Sequence, residues 1–180
     1  MAYEVETKVL DIDVDAVKEK LALLNARQTQ DTRLAVDWYR PMGEKEGEES
    51  WFLRIRSNTE GKNEVTWKAK SDIIGIARRH KEINFFIDEP EELADLFEEL
   101  GLEEYAHQEK DRTSYVLDDW SFDIDQYPGM PAFLEIEGTS EDHILEAITL
   151  LGLEQNPTWA TGERILIQER YGLDWYQMRF

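Results

Sequence analysis

Residues 2–10, AYEVETKVL, alternate in character. Side chains two apart on a strand share a face, so Tyr3, Val5, Thr7 and Val9 fall on one side and Glu4, Glu6 and Lys8 on the other. Residues 14–25 change to a helical period, with Asp13 as N-cap and Val14, Val17, Leu21 and Leu24 on one stripe. Residues 27–40 return to a strand that ends in VDWYR. Residues 51–57 and 64–70 read as a hairpin around NTEGKN, and 77–88 as a further strand. A second helix covers 90–100, with Pro90 in its first turn, Gly101 at its end, and Leu93, Leu96, Phe97 and Leu100 facing inward. Strands at 107–117 and 120–126 pair across Asp118–Asp119. YPGMP forms a loop, and residues 132–138 form the last strand. A third helix at 141–151 starts on Ser140 and stops at Gly152, and a fourth covers 160–171. The phrases ELGLEE and LLGLEQ end the two middle helices alike. They fit either two related halves or an ordinary Leu-Gly helix stop.

At 180 residues, the chain reads as one domain spanning 1–180. A composition of 41% hydrophobic and 33% charged residues suits a folded, soluble chain. The absence of cysteine excludes disulfides, zinc–thiolate sites and thiol nucleophiles. Three scattered histidines, His80, His107 and His143, argue against a histidine metal cage; they read as surface or structural groups. No apolar run approaches a membrane span and no leader pattern opens the chain, so a cytoplasmic protein without a membrane partner is expected.

Forty acids against twenty bases leave a net charge of −20, which repels nucleic acid. The acids concentrate in 88–104, with nine and no base, and in 44–49, EKEGEE; both read as solvated surface. The bases concentrate elsewhere. Nine of the twenty fall in WFLRIRS, VTWKAKS, ARRHKEI and EKDRTSY, so a basic interior within an acidic shell is compatible with the chain.

Strand parity sharpens this. The pairs Arg54/Arg56, Lys68/Lys70, Lys110/Arg112, Asp123/Asp125 and Glu135/Glu137 each put like charges on one face of a strand, as do Glu4 and Glu6. At 7 Å and an effective dielectric near 20, such a pair costs about 2 kcal/mol, and less when exposed. Any one stripe fits the wet face of an antiparallel sheet. Six such strands make better sense if the basic rows face a polyanion and the acidic rows a divalent cation, for which carboxylates are the preferred ligands.

These residues resemble the CYTH domain family, the triphosphate tunnel metalloenzymes. Glu4-Val5-Glu6-Thr7-Lys8 is similar to the family's ExExK signature. LRIR (53–56), the lysine of VTWKAK (65–70), EKDRTSY (109–115) and DIDQYPGMPAFLEIEG (123–138) follow in the family's order. The resemblance, over residues 3 to about 150, implies an α+β fold: an eight-stranded antiparallel β-barrel, or tunnel, with helices packed outside. It implies metal ligation by Glu4, Glu6, Asp125, Glu135 and Glu137, with Mg²⁺ or Mn²⁺ as cofactor. It implies phosphate binding by Lys8, Arg54, Arg56, Lys68, Arg78, Lys110 and Arg112, and catalytic roles for Glu4, Glu6, Lys8 and Glu135. In the middle strand the family tends to Arg-x-Glu-x-Glu. Here His80, Glu82 and Asn84 are in phase, so Arg78 supplies the charge and Glu82 is a tunnel residue rather than a metal ligand. Arg164 is the candidate closing charge at the C-terminal end, and Tyr171 reads as packing.

The activity implied is metal-dependent hydrolysis of a triphosphate, with inorganic tripolyphosphate as the leading substrate. A class IV adenylyl cyclase making cyclic AMP from ATP is the runner-up. A thiamine triphosphatase using Trp38 or Trp51 as a platform, and a non-catalytic polyphosphate- or nucleotide-binding module, are further alternatives. A homodimer is compatible with all of them. No P-loop, GxGxxG, GxSxG or HExxH occurs.

Overall fold

A computed structural model describes residues 3–180. Eight long strands carry the architecture: β1 (Tyr3–Val9), β2 (Arg27–Pro41), β3 (Trp51–Asn58), β4 (Asn63–Ala69), β6 (Ala77–Ile87), β7 (Leu102–Leu117), β8 (Trp120–Gln126) and β9 (Phe133–Gly138). Their hydrogen-bonded order is β9-β8-β7-β2-β3-β4-β6, and β1 pairs antiparallel with both β9 and β6. The sheet therefore closes on itself, every neighbour antiparallel. The expected eight-stranded tunnel is present. Three short strands were not anticipated: β5 (Asp72–Ile74) beside β6, β10 (Thr158–Trp159) beside β1, and β11 (Gln177–Met178), parallel to β7.

Closure gives each strand an inner and an outer face, and cross-strand partners share a face. The outer face of β1, β8 and β9 is covered by α1 (Val14–Leu23) and α3 (Glu141–Leu151). Val5, Val9, Val17, Leu21, Phe122, Leu134, Ile136 and Ile144 form one buried core there. Both helices start as read. The Asp13 side chain accepts from the Ala16 N–H, and Ser140 from the His143 N–H. Gly101 and Gly152 both end helices in the left-handed region, at φ +79 and +75, so the repeated phrase acts as a helix stop in both places.

α2 (Pro90–Glu99) packs through Leu93, Ala94 and Phe97 on Tyr39, Ile55 and Val65. Leu96 and Leu100 do not face inward as expected; they are 51% and 68% exposed, because the helix meets the barrel along a single narrow stripe. The fourth helix is also shorter than expected. Pairing of Thr158 and Trp159 with β1 keeps the chain extended, and Gly162 remains extended. α4 therefore starts only at Glu163 (Glu163–Ile165) and continues as a wider π-type turn over Leu166–Arg170. Leu166 and Ile167 from this segment pack with Trp175, Tyr127, Met130 and Phe133 against Leu34, Val36 and Trp38 of β2, closing part of the barrel interior. Among the described residues, no helix is long and apolar enough to cross a membrane.

Candidate active site

The registers place the charged rows inside. Glu6 lies opposite Glu137 and Lys8 opposite Glu135 between β1 and β9. Arg54 lies opposite Trp38, and Arg56 opposite Val36, between β3 and β2. Arg112 faces Asp125 across β7–β8, and Lys68 faces Glu82 across β4–β6. In the ring, β3 is four strands from β9, so the Arg54/Arg56 row stands across the barrel from the Glu135/Glu137 row.

Between them is a cavity of about 480 Å³. Glu4, Glu6, Glu135, Glu137, Arg54, Arg56, Lys68, Arg78 and Arg112 line it. Three other expected site residues are inside the barrel but do not line the cavity. Lys8 is fully buried with Nζ 2.9 Å from Glu135. Lys110, 1% exposed, donates to Asp125 and Glu163, both at 2.8 Å. Asp125 is fully buried and accepts from Lys110 and from both Nε and Nη2 of Arg112, at 2.6 and 2.5 Å. These residues form a layer of ion pairs behind the cavity wall.

The acidic row is crowded. Burial pushes the Glu137 carboxyl up to about 8, helped by repulsion from Glu4, Glu6 and Glu135. Glu137 has no ion-pair partner among the described residues. Glu4 is also raised, chiefly by burial, although His80 and Lys68 oppose the shift. Glu6 behaves differently: burial is the largest influence and would raise it, but the Arg78 guanidinium it binds, together with Lys68 and Lys8, outweighs burial and holds it at about 2. In Glu135, burial is overcome by Lys8, Arg112, Lys110 and Arg78, so it sits well below the usual carboxylate range. One ligand atom each from Glu4, Glu6 and His80 lies within 4.8 Å of the others, and the same holds for Asp125, Glu135 and Glu163. In the second group both Asp125 oxygens are already bonded to Lys110 and Arg112, and one Glu163 oxygen to Lys110. An unpaired carboxylate among three others, facing a cavity, fits a divalent cation.

The basic row is the mirror case. Arg54 is 8% exposed and has no ion pair among the described residues, and its Nε has no hydrogen-bond partner. Its guanidinium lies 5.5 Å from the Trp38 ring. Arg56 is held at 2.6 Å by Glu64; burial and the nearby Arg54 and Arg112 charges lower its pKa. Arg112 is clamped by Asp123, Asp125 and Glu135. A buried guanidinium without a counter-ion is costly unless an anion arrives.

Some features were not legible beforehand. Glu163 joins the interior through Lys110 and the Tyr127 hydroxyl, which donates to it at 2.6 Å. Glu49 was expected on the solvated surface; it is 4% exposed and binds Arg164 at 2.5 Å. Trp38 and Trp175 line the cavity with Phe52 and Tyr105, whereas Trp51 does not. His80 is 3% exposed, between Glu4 and Glu82, both at 3.4 Å. Nothing in the sequence singled out Glu163, which fell inside the expected 160–171 helix.

Fold and interior together define a closed antiparallel tunnel whose inner surface carries opposed acidic and basic rows. The CYTH domain model matches residues 2–152, and the chain belongs to the CYTH domain family. A Methanocaldococcus jannaschii protein named "Putative adenylate cyclase" is 30% identical over 139 residues, which is 77% of this chain and 78% of that protein. A solved Vibrio parahaemolyticus structure superposes with a TM-score of 0.75 at 15% identity, covering 91% of this chain and 97% of that one. HpAC1 from Hippeastrum, described as having a dominant triphosphatase activity, superposes at 0.65 with 15% identity and 96% of both chains covered. These two solved structures are similar to this chain in fold.

Proposed function

We propose that this protein hydrolyses the terminal phosphoanhydride of a triphosphate in the presence of Mg²⁺ or Mn²⁺, with inorganic tripolyphosphate as the leading substrate. The observation that carries this reading is the pair of unpartnered charges on one cavity: Arg54 calls for an anion and Glu137 for a cation. Arg54, Arg56, Lys68, Arg78 and Arg112 grip the phosphate oxygens, and Glu4, Glu6, Glu135 and Glu137 would hold a divalent cation. Lys8 orients Glu135. Asp125 and Lys110 hold Arg112 and Glu163 in place behind them.

Phosphoryl transfer needs charge neutralisation and alignment more than covalent chemistry. The arginines neutralise charge on the phosphate oxygens and keep the terminal phosphorus in line with an attacking water. Water adds to that phosphorus, the bridging P–O bond breaks, and tripolyphosphate becomes diphosphate and phosphate. A bound divalent cation would lower the pKa of its water and shield the phosphate charge. No histidine base or serine nucleophile is required. The acidic exterior disfavours nucleic acid as partner.

A second reading, an adenylyl cyclase, is favoured by the aromatic part of the lining, Trp38, Phe52, Tyr105 and Trp175, which offers a surface for a ring. It also agrees with the name of the archaeal relative. Thiamine triphosphate would use the same surface. A phosphate-release screen over tripolyphosphate, ATP, GTP and thiamine triphosphate, with cyclic AMP followed in parallel, separates these. The proposal expects phosphate from tripolyphosphate with Mg²⁺ or Mn²⁺ and none in EDTA. Cyclic AMP from ATP without phosphate release would replace it with the cyclase. Tight binding without turnover of any substrate would replace it with a binding module.

A further inference from the structure

Most cations that line the cavity are paired with carboxylates fixed by the barrel. Arg78 is held by Glu6 of β1, Lys68 by Glu82 of β6, Arg56 by Glu64 of β4, and Arg112 by acids of β8 and β9. The backbones of these partners are fixed in β-ladders. Arg164 of α4 is different. Its partner Glu49 comes from the connection between β2 and β3, residues 42–50, and both line the cavity.

That connection is an acidic loop with few ties of its own. Internal turn bonds run from the Glu44 N–H to Pro41 and from the Glu48 N–H to Lys45. The Gly47 N–H donates to Glu49 at 2.7 Å, leaving the other Glu49 oxygen for Arg164 at 2.5 Å. Glu46 lies 3.6 Å from Arg164 and accepts from the Tyr176 hydroxyl at 2.5 Å. The loop is otherwise largely exposed, yet Glu49 is 4% exposed. The loop is tied at its start by the Met42 N–H bond to the Gly101 carbonyl, and its middle is anchored by Glu46 on Tyr176 and by the buried Glu49 on a guanidinium that faces the cavity.

We infer that Glu49 is a displaceable internal anion: it occupies Arg164 until ligand phosphates replace it, so that it sets the charge a ligand must bring and releases the 42–50 loop when one binds. The inference rests on the triphosphate reading of the tunnel. A guanidinium offers a planar fork that suits a carboxylate and a phosphate equally, so the two compete for the same donors. A triphosphate reaches several cations at once and so brings more charge to this exchange than a carboxylate or a single phosphate. Glu49 then tunes selectivity against weakly charged anions.

The test is calorimetry with tripolyphosphate in metal-free buffer, where turnover is suppressed, on wild type, Glu49→Gln, Arg164→Met and the double variant. Removing the competing charge tightens binding in Glu49→Gln by about tenfold, the scale of one charge-assisted hydrogen bond. Arg164→Met weakens binding, and Glu49→Gln adds nothing on that background. Lys45 is exposed in the loop and reports its release. Tryptic cleavage after Lys45 is faster with tripolyphosphate than without it in wild type, and already fast in ligand-free Glu49→Gln. If wild type binds tripolyphosphate but Glu49→Gln binds equally or more weakly, or if the ligand protects Lys45, the displaceable anion is refuted and the triphosphate reading stands. If wild type binds no tripolyphosphate with or without Mg²⁺, both fall.

Discussion

Asp125→Asn removes one charge from the layer behind the cavity with almost no change in volume. Asp125 is fully buried and accepts three charge-assisted hydrogen bonds, one from Lys110 and two from Arg112. Breaking one partner of a buried pair typically costs 3–5 kcal/mol. The remaining contacts soften the loss, since Lys110 keeps Glu163 at 2.8 Å and Arg112 keeps Asp123 at 2.5 Å. The low end, about 3 kcal/mol, is therefore expected. For a chain of this length that lowers Tm by roughly 6–12 °C. The measurement is differential scanning calorimetry in EDTA, because the two roles open to Asp125 separate there. A residue that fixes Arg112 and Lys110 loses its contribution whether or not a cation is present. A residue whose role is to ligate a cation leaves the Tm in EDTA near that of wild type. A Tm within about 2 °C of wild type would overturn the ion-pair account and return Asp125 to the metal ligands.

Arg54→Met removes the unpaired guanidinium; tripolyphosphate binding by calorimetry should weaken about 10- to 100-fold while Tm stays level or rises, and a fall in Tm would contradict the claim that this charge waits for an anion. Glu137 titrates near pH 8 in the cation-free protein, raised above the ordinary carboxylate value, so the folded state holds a proton that the unfolded state has released. Stability in EDTA therefore falls as pH rises from about 4.5 towards 8. Glu137→Gln flattens that part of the curve, and a pH-independent Tm across this range in wild type would refute the crowded-carboxylate reading. Stabilisation by added Mn²⁺ should be larger at pH 8 than at pH 6 for the same reason, as read by thermal denaturation. Leu134→Ala, at a fully buried position of the outer core on β9, should cost about 2–5 kcal/mol by urea denaturation without changing the metal requirement of turnover; a cost below 1 kcal/mol would mean that the helices do not seal this face.

Much of the barrel was legible because its code is local. The period of two in YEVETKV and FLEIEG separates a core face from a charged face within a few residues. Helix starts at Asp13 and Ser140 and stops at Gly101 and Gly152 are equally local, since capping involves atoms three or four residues apart. Where a local pattern met a long-range contact, the contact won. The 160–171 helix lost its first turn to the pairing of Thr158 and Trp159 with β1. Leu96 and Leu100 stayed exposed because the shape of the barrel beneath α2 offered them nothing to cover.

The sequence by itself determined which side chains share a face of each strand, since parity settles that grouping; ring closure decided that the charged face is the inner one. It did not determine how deep each one sits or which opposite charge it meets. Lys8 and Lys110 share their faces with Glu6 and Arg112, yet they are sealed by Glu135, Asp125 and Glu163 from other parts of the chain. Among the described residues Arg54 is left without an ion-pair partner, and Glu49 crosses from an acidic loop to Arg164, 115 residues away. Coulomb interactions depend on separation in space. Only ring closure and the inward packing of the C-terminal segment set those separations, and so decided which charges cancel and which remain for a ligand.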